Sequence, residues 1–276
     1  MNHCESSRGL LNGDTAGGRP GMTQLVFHSL LCGTTALIPV PFLDDWALRI
    51  VKRRMLSEIL RSGGFMAETD RIRWLAGDGM WIGTQGCLYQ ALFYTVILPV
   101  KILGYFLRGV LRTVLFVLIV KQAADRASAC FHEGYLFAYA VRRHVRSDRD
   151  LDAQLVRLPR VIAQVLRGLN TSPVWSVFAG ILRVNRNLFL ETARVLARSA
   201  RLSRRKGDNG MAAADESLGE QRRLLDNVVR HVGDLLGGQE GYLRNLERRF
   251  DFYFDQTVRP SEMVPPQTDP PAPAEG

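Results

Sequence analysis

From Gly79 to Ala124 the chain carries no aspartate or glutamate, yet it holds Lys101, Arg108, Arg112 and Lys121 in an otherwise apolar run that ends in VLFVLIV. A segment of this kind is too hydrophobic for an ordinary surface helix and too basic for an ordinary core. It has to bury apolar area while keeping a row of cations solvated, which suits a membrane surface or a crowded helical interface. The element runs from about Thr84 to Val120, is interrupted by Pro99 and is softened by Gly104 and Gly109. At ~1.5 Å per residue an unbroken helix of that extent would be about 55 Å long, well beyond a hydrocarbon layer of ~30 Å. It therefore hinges near Pro99 to Gly104 or runs along something. Lys101, Arg108 and Arg112 stand at i, i+7 and i+11, on one stripe of such a helix. They are expected to touch anionic lipid headgroups or a charged partner, or else to form the solvated edge of a long core helix.

The rest of the chain reads as helix, so the expected fold is all-α, a bundle of about seven or eight helices with disordered tails at 1–20 and 259–276. The first tail is rich in Gly, Ser, Asn and Asp; the last holds Pro260, Pro265, Pro266, Pro270, Pro271 and Pro273, which suits extended chain. A helical domain is expected over 21–205. In it a charge-free helix from Gly21 ends at Pro39 and Pro41, where the rings remove backbone donors and disfavour α geometry before them. Asp44 or Asp45 then caps a second helix with Leu48, Val51, Met55 and Ile59 at helical spacing. A short helix covers Glu68 to Leu75. After a link near Ala123 to Arg126, a further helix carries Phe131, Tyr135, Phe137, Tyr139 and Val141 and ends in Arg142, Arg143, His144 and Arg146.

Asp148 or Asp150 opens the next helix, with apolar positions from Leu151 to Leu169. Ser172 followed by Pro173 is a helix start, and that helix is expected to extend to Arg205. Along it Arg194, Arg198, Arg201 and Arg205 fall at 4-3-4 spacing, a second basic stripe. Its readings are contact with an anionic lipid or partner, or a plain solvated face. Residues 206–216 are expected to form a flexible loop. Ser217 and Glu220 make a capping box for an amphipathic element over 217–258, with Leu225, Val228, Val232, Leu235, Leu243, Leu246 and Phe250 inward and a division at Gly237 and Gly238.

The chemical motifs of sharpest geometry are missing: there is no GxxxxGK[ST], HExxH or GxSxG, and no paired cysteine motif. Gly77, Gly79, Gly83 and Gly86 lack the strand and spacing of a phosphate loop. His132 with Glu133 is the only adjacent pair suggesting acid/base work, and His144, twelve positions on, does not converge with it. Asp44 and Asp45, and the Asp148, Asp150 and Asp152 group, read as helix caps. No catalytic, metal or cofactor site is expected. Cys4, Cys32, Cys87 and Cys130 are widely spaced and read as thiols in a reducing compartment.

The net charge of +9 and a pI near 9.8 favour phosphate-bearing partners by a field that salt screens. Only Lys52, Lys101, Lys121 and Lys206 among the 36 basic residues are lysines, a bias that a GC-rich genome also produces. Nucleic acid is not expected as a partner, since no binding module or basic-aromatic interleaving is present. A basic n-region joined to an apolar h-region is lacking at the start, so residence on the cytoplasmic side is expected. Gly21 to Leu43, Gly79 to Val100 and Ile102 to Val120 are the longest apolar windows, but none is a clean span. The last holds two arginines, each costing ~2.5–3.5 kcal/mol at mid-membrane.

Residues 36–60, ALIPVPFLDDWALRIVKRRMLSEIL, place an apolar helix, a proline-marked turn, an aspartate and a basic amphipathic helix in series. This stretch resembles the entry motif of bacterial helical proteins of the EcsC type. The resemblance implies a helical, membrane-linked protein and carries over no functional residue. The expected function is a non-enzymatic, membrane-associated adaptor or envelope-related factor, attached peripherally or by one or two imperfect spans. The alternatives are a cytoplasmic helical module that binds a protein partner, and an enzyme for a lipid or small hydrophobic ligand with His132 and Glu133 as its residues. The oligomeric state is not fixed by the sequence.

Overall fold

A computed structural model describes residues 21–38, 43–66, 110–206 and 208–258, with positions 40, 68, 72 and 75, and gives the helix backbone alone at 110–116, 203–206 and 208–220. The described residues are all-helical. Their helices, in chain order, are α1 (Met22–Thr35), α2 (Leu43–Ser62), α3 (Val110–His144), α4 (Asp148–Leu155), α5 (Arg157–Leu166), α6 (Ser172–Val184), α7 (Arg186–Lys206), α8 (Asp208–Gly237) and α9 (Glu240–Val258). Both expected disordered tails, most of the expected helix at Glu68 to Leu75, and the expected central helix up to Arg108 lie outside the described residues.

The centre of the bundle is α1, which packs against α2, α3, α7 and α8. Every residue from Leu25 to Thr35 is buried, the signature of a helix surrounded on all sides. Its polar side chains are accommodated by its own backbone. Ser29 Oγ and Thr34 Oγ1 each donate to the carbonyl four residues back at 2.7 Å, and Thr35 Oγ1 donates to Cys32 O at 2.7 Å. Those bonds remove the cost of burying a lone hydroxyl. The charge-free window that begins at Gly21 thus reflects a core position. Among the described residues no helix is long and apolar enough to cross a membrane.

The spine of the fold is α3, a 35-residue helix that meets α1, α2, α5, α6 and α9. Its approach to α1 is set by small side chains. A Cβ built on Gly33 would stand 2.7 Å from the Ala123 carbonyl oxygen and 2.9 Å from the Ala127 Cβ, so only glycine fits there. The link expected near Ala123 to Arg126 is not a break, because α3 runs straight through it. Ala123, Ala124 and Ala127 are strong helix formers buried against neighbours. The polar residues that looked like a linker tie α3 outward. Asp125 Oδ1 accepts from Trp175 Nε1 at 2.7 Å, and Arg126 donates to Asp44 at 3.0 Å and Thr35 at 3.2 Å.

Three other boundaries differ from expectation. The segment after His144 is two helices, parted at Val156, because the ring of Pro159 clashes with the carbonyl four residues earlier; Ser147 is the cap, its Oγ accepting from Asp150 N at 3.2 Å. The helix begun at Ser172 stops at Val184, where the Asn185 side chain donates to Ile181 O at 3.2 Å and ends the ladder. The loop expected at 206–216 is helical from Asp208 onward. Asp208 and Asn209 suit a helix start, and Ala212, Ala213 and Ala214 favour continuation, so the expected capping box at Ser217 and Glu220 falls inside α8. The division at Gly237 and Gly238 is present. The inward stripe of α8 is Leu225, Val229, Val232 and Leu236, with Val228 partly buried against the core beside it, while the expected Leu235 is exposed.

Candidate functional site

The second basic stripe becomes an exposed row. On α7 the side chains of Phe189, Thr192, Ala193, Leu196, Ser199 and Ala200 are buried. Thr192 Oγ1 is fixed between Leu188 O at 2.9 Å and Gln221 Oε1 of α8 at 3.0 Å. With that face turned inward, Arg194, Arg198 and Arg201 stand on the solvent side, all exposed. The described residues offer none of the three an ion-pair partner. Leu202, 42% exposed, sits beside them. Arg205 lies in the last turn of the same helix, and Arg112 lies in the first turn of α3. The surroundings of those two side chains, and Lys101 and Arg108 altogether, fall outside the described residues.

His132 and Glu133, the candidate acid/base pair, serve different neighbours. His132 is 1% exposed; its Nδ1–H donates to Ser128 O at 2.6 Å, and its Nε2 accepts from the Tyr242 hydroxyl of α9 at 2.6 Å. Burial pushes its pKa down to about 4 and that of Tyr242 up to about 12. The ring is therefore neutral and fully engaged at ordinary pH. Adjacent residues on a helix point about 100° apart, and Glu133 is directed elsewhere. Burial pushes its carboxyl up to about 8, with the charge of Lys52 on α2 opposing, and its Oε2 is buried without a hydrogen-bond partner among the described residues. The two groups share no substrate position.

Two polar clusters had no local trace in the sequence. In the first, His28 of α1 donates from Nδ1 to Gln24 O at 2.8 Å and turns Nε2 toward Glu58 Oε2 of α2 at 3.5 Å. The same carboxylate accepts from the Gln24 amide and from Arg54 Nε at 3.2 Å. Burial lowers the His28 pKa, against the raising effect of Glu58. The cleft beside this cluster has room for about 20 Å³, enough for one water and too small for an organic substrate. In the second cluster, α3 and α9 are joined by long side chains. Tyr139 donates to Asp251 at 2.8 Å, His144 Nε2 lies 2.9 Å from the other oxygen of Asp251, and Tyr135 donates to Glu247. Burial and the Asp251 bond raise the Tyr139 pKa to about 12.

Among the described residues no group of three or more His, Cys, Asp or Glu is placed to hold a metal ion. Asp44 and Asp45, expected as caps, lie inside the first turn of α2, after Leu43, and both face Arg126, at 3.0 and 3.8 Å. Family models, curated proteins and solved structures offer no match to this chain, so its function is inferred from geometry.

Proposed function

We propose that this is a non-enzymatic helical protein that attaches peripherally to an anionic membrane face, with α7 as the contact. The observation that carries the reading is the row of Arg194, Arg198 and Arg201, exposed on one side of a helix whose other side is anchored in the core. Arginine forks pair with phosphate oxygens in two-point geometry. The net charge of +9 adds a field that draws the molecule toward an anionic surface, and Leu202 offers a shallow apolar contact at the edge of the row. The EcsC-type resemblance of residues 36–60 agrees with a membrane link. The large polar clusters are engaged in cross-helix bonds, which fits a scaffold better than a catalyst.

Flotation of the full-length protein with vesicles tests the proposal. Binding to phosphatidylglycerol vesicles at low salt is expected, with little binding to phosphatidylcholine alone. At ~1 kcal/mol per cation near an anionic surface, the triple change Arg194→Gln, Arg198→Gln and Arg201→Gln should weaken binding by on the order of 100-fold. Equal binding by the triple variant would remove α7 as the contact. A protein that stays in solution with both vesicle types would favour the second reading, a protein-interaction module, for which exposed Leu224, Leu235 and Phe252 are the apolar handholds.

A further inference from the structure

We propose that Cys32 and Cys130 are a redox pair that closes to an intrachain disulfide joining α1 to α3. They stand 98 positions apart in the chain, yet Cys130 Sγ donates to Cys32 Sγ at 2.6 Å. That is well inside the ~3.5–4.0 Å at which heavy atoms ordinarily rest against one another. Both are free thiols and fully enclosed, at 0% and 1% exposure. Met55 Sδ also lies close, 3.9 Å from Cys130 Sγ, and the charges of Lys52 and Glu133 act on Cys130 in opposite directions.

The surrounding backbone explains the approach. Gly33, next to Cys32, admits the Ala123 carbonyl and Ala127 at distances that no larger residue allows, and Gly134, one turn beyond Cys130, has Leu25 Cδ1 2.5 Å from where a Cβ would stand. Small residues on either side of the pair thus press α1 and α3 together at the two sulfurs. Cysteines that served only as apolar filler could sit anywhere along this seam; these two are opposed.

The chemistry is thiol–disulfide exchange with a low-molecular-weight disulfide as oxidant. One cysteine thiolate attacks an oxidant sulfur, forming a mixed disulfide and releasing one small thiolate. The second cysteine then attacks the protein sulfur of that mixed disulfide, forming the Cys32–Cys130 bond and releasing the second small thiolate. The two protein thiols give up two protons and two electrons, and the oxidant is reduced to two thiols. Enclosure decides when this happens. Burial and the neighbouring Cys32 raise the Cys130 pKa far above its usual range, and no oxidant reaches either sulfur in the docked state. Exchange therefore takes place while α1 and α3 are coming together, and docking afterwards shields the bond from reductant.

Refolding of the full-length chain from denaturant in a mixture of reduced and oxidised glutathione, quenched with N-ethylmaleimide and digested without reduction, tests this by mass spectrometry. The expected product is a linked peptide pair holding Cys32 and Cys130, with Cys4 and Cys87 alkylated, and a thermal midpoint several degrees above that of the reduced protein. Oxidant added after folding should give the same product at least tenfold more slowly. Full alkylation of Cys32 and Cys130 at every glutathione ratio would overturn the pair, as would linkage of either one to Cys4 or Cys87. Equal rates before and after folding would overturn the timing. Cys32→Ala, which keeps a small apolar side chain, should fold, lose the linked peptide and show no oxidant-dependent rise in midpoint; a persistent rise would assign the effect elsewhere.

Discussion

Two adjacent residues of α3 pull stability in opposite directions with pH. The folded pKa of His132, about 4, lies below the ~6.5 of an unfolded histidine. As pH falls between those values the unfolded chain binds the extra proton, so stability falls toward acid. The folded pKa of Glu133, about 8, lies above the ~4.3 of a free glutamate. Between those values the folded chain holds the proton that the unfolded chain has lost, so stability falls as pH rises. The two slopes offset one another between about pH 4.5 and 6.5, and above that range only the glutamate acts. Glu133→Gln should therefore stabilise the protein at pH 8 by on the order of 3 kcal/mol and change little at pH 4.5, measured by denaturant unfolding at both values. An equal effect at the two pH values would mean that the carboxyl is not held neutral. Tyr242→Phe removes the donor to His132 Nε2 and leaves that nitrogen buried and unpaired, which should cost ~1–3 kcal/mol in the same assay.

At the scale of the element, the seam between α1 and α3 is the most demanding contact. Gly33→Ala pushes a methyl against a backbone carbonyl that cannot move alone and should cost ~1–3 kcal/mol. Gly134→Ala meets the ends of Leu25 and Met55 side chains, which can turn aside, and should cost less. A reversed order in a denaturation series would show that α3 shifts more freely than its neighbours allow. Local patterns made much of this fold legible. The Asp44 and Asp45 start, the Ser172 and Pro173 start and the glycine break between α8 and α9 are all read from neighbouring residues, and so is the 4-3 row of Arg194, Arg198 and Arg201. The continuity of α3 was hidden because Asp125 and Arg126 look like linker residues until Trp175 and Asp44 are seen beside them. His28 with Glu58, His132 with Tyr242 and Tyr139 with Asp251 were hidden for a related reason. Partners 30 to 112 positions apart leave no spacing to recognise.

Across the whole molecule, the arginine row and the net charge of +9 act together, and both are screened by ions. Vesicle binding should fall at least tenfold between about 0.05 and 0.3 M salt, as the Debye length shrinks from roughly 14 Å to below 6 Å; binding indifferent to salt would point to apolar insertion instead. The partner order across the α3 and α9 seam, His132 to Tyr242, Tyr135 to Glu247, Tyr139 to Asp251, rises together in both helices, so the two run parallel and a slip of one turn breaks every bond. The central position of α1 has a consequence in time. Its Phe27 is covered by Arg222 of α8, whose guanidinium carbon lies 5.7 Å from the ring centroid, and that residue follows roughly 195 positions later in synthesis. At ~5–20 residues per second, α1 waits about 10 to 40 s for this wall. The nascent chain spends that interval with the buried side of α1 lacking one of its walls.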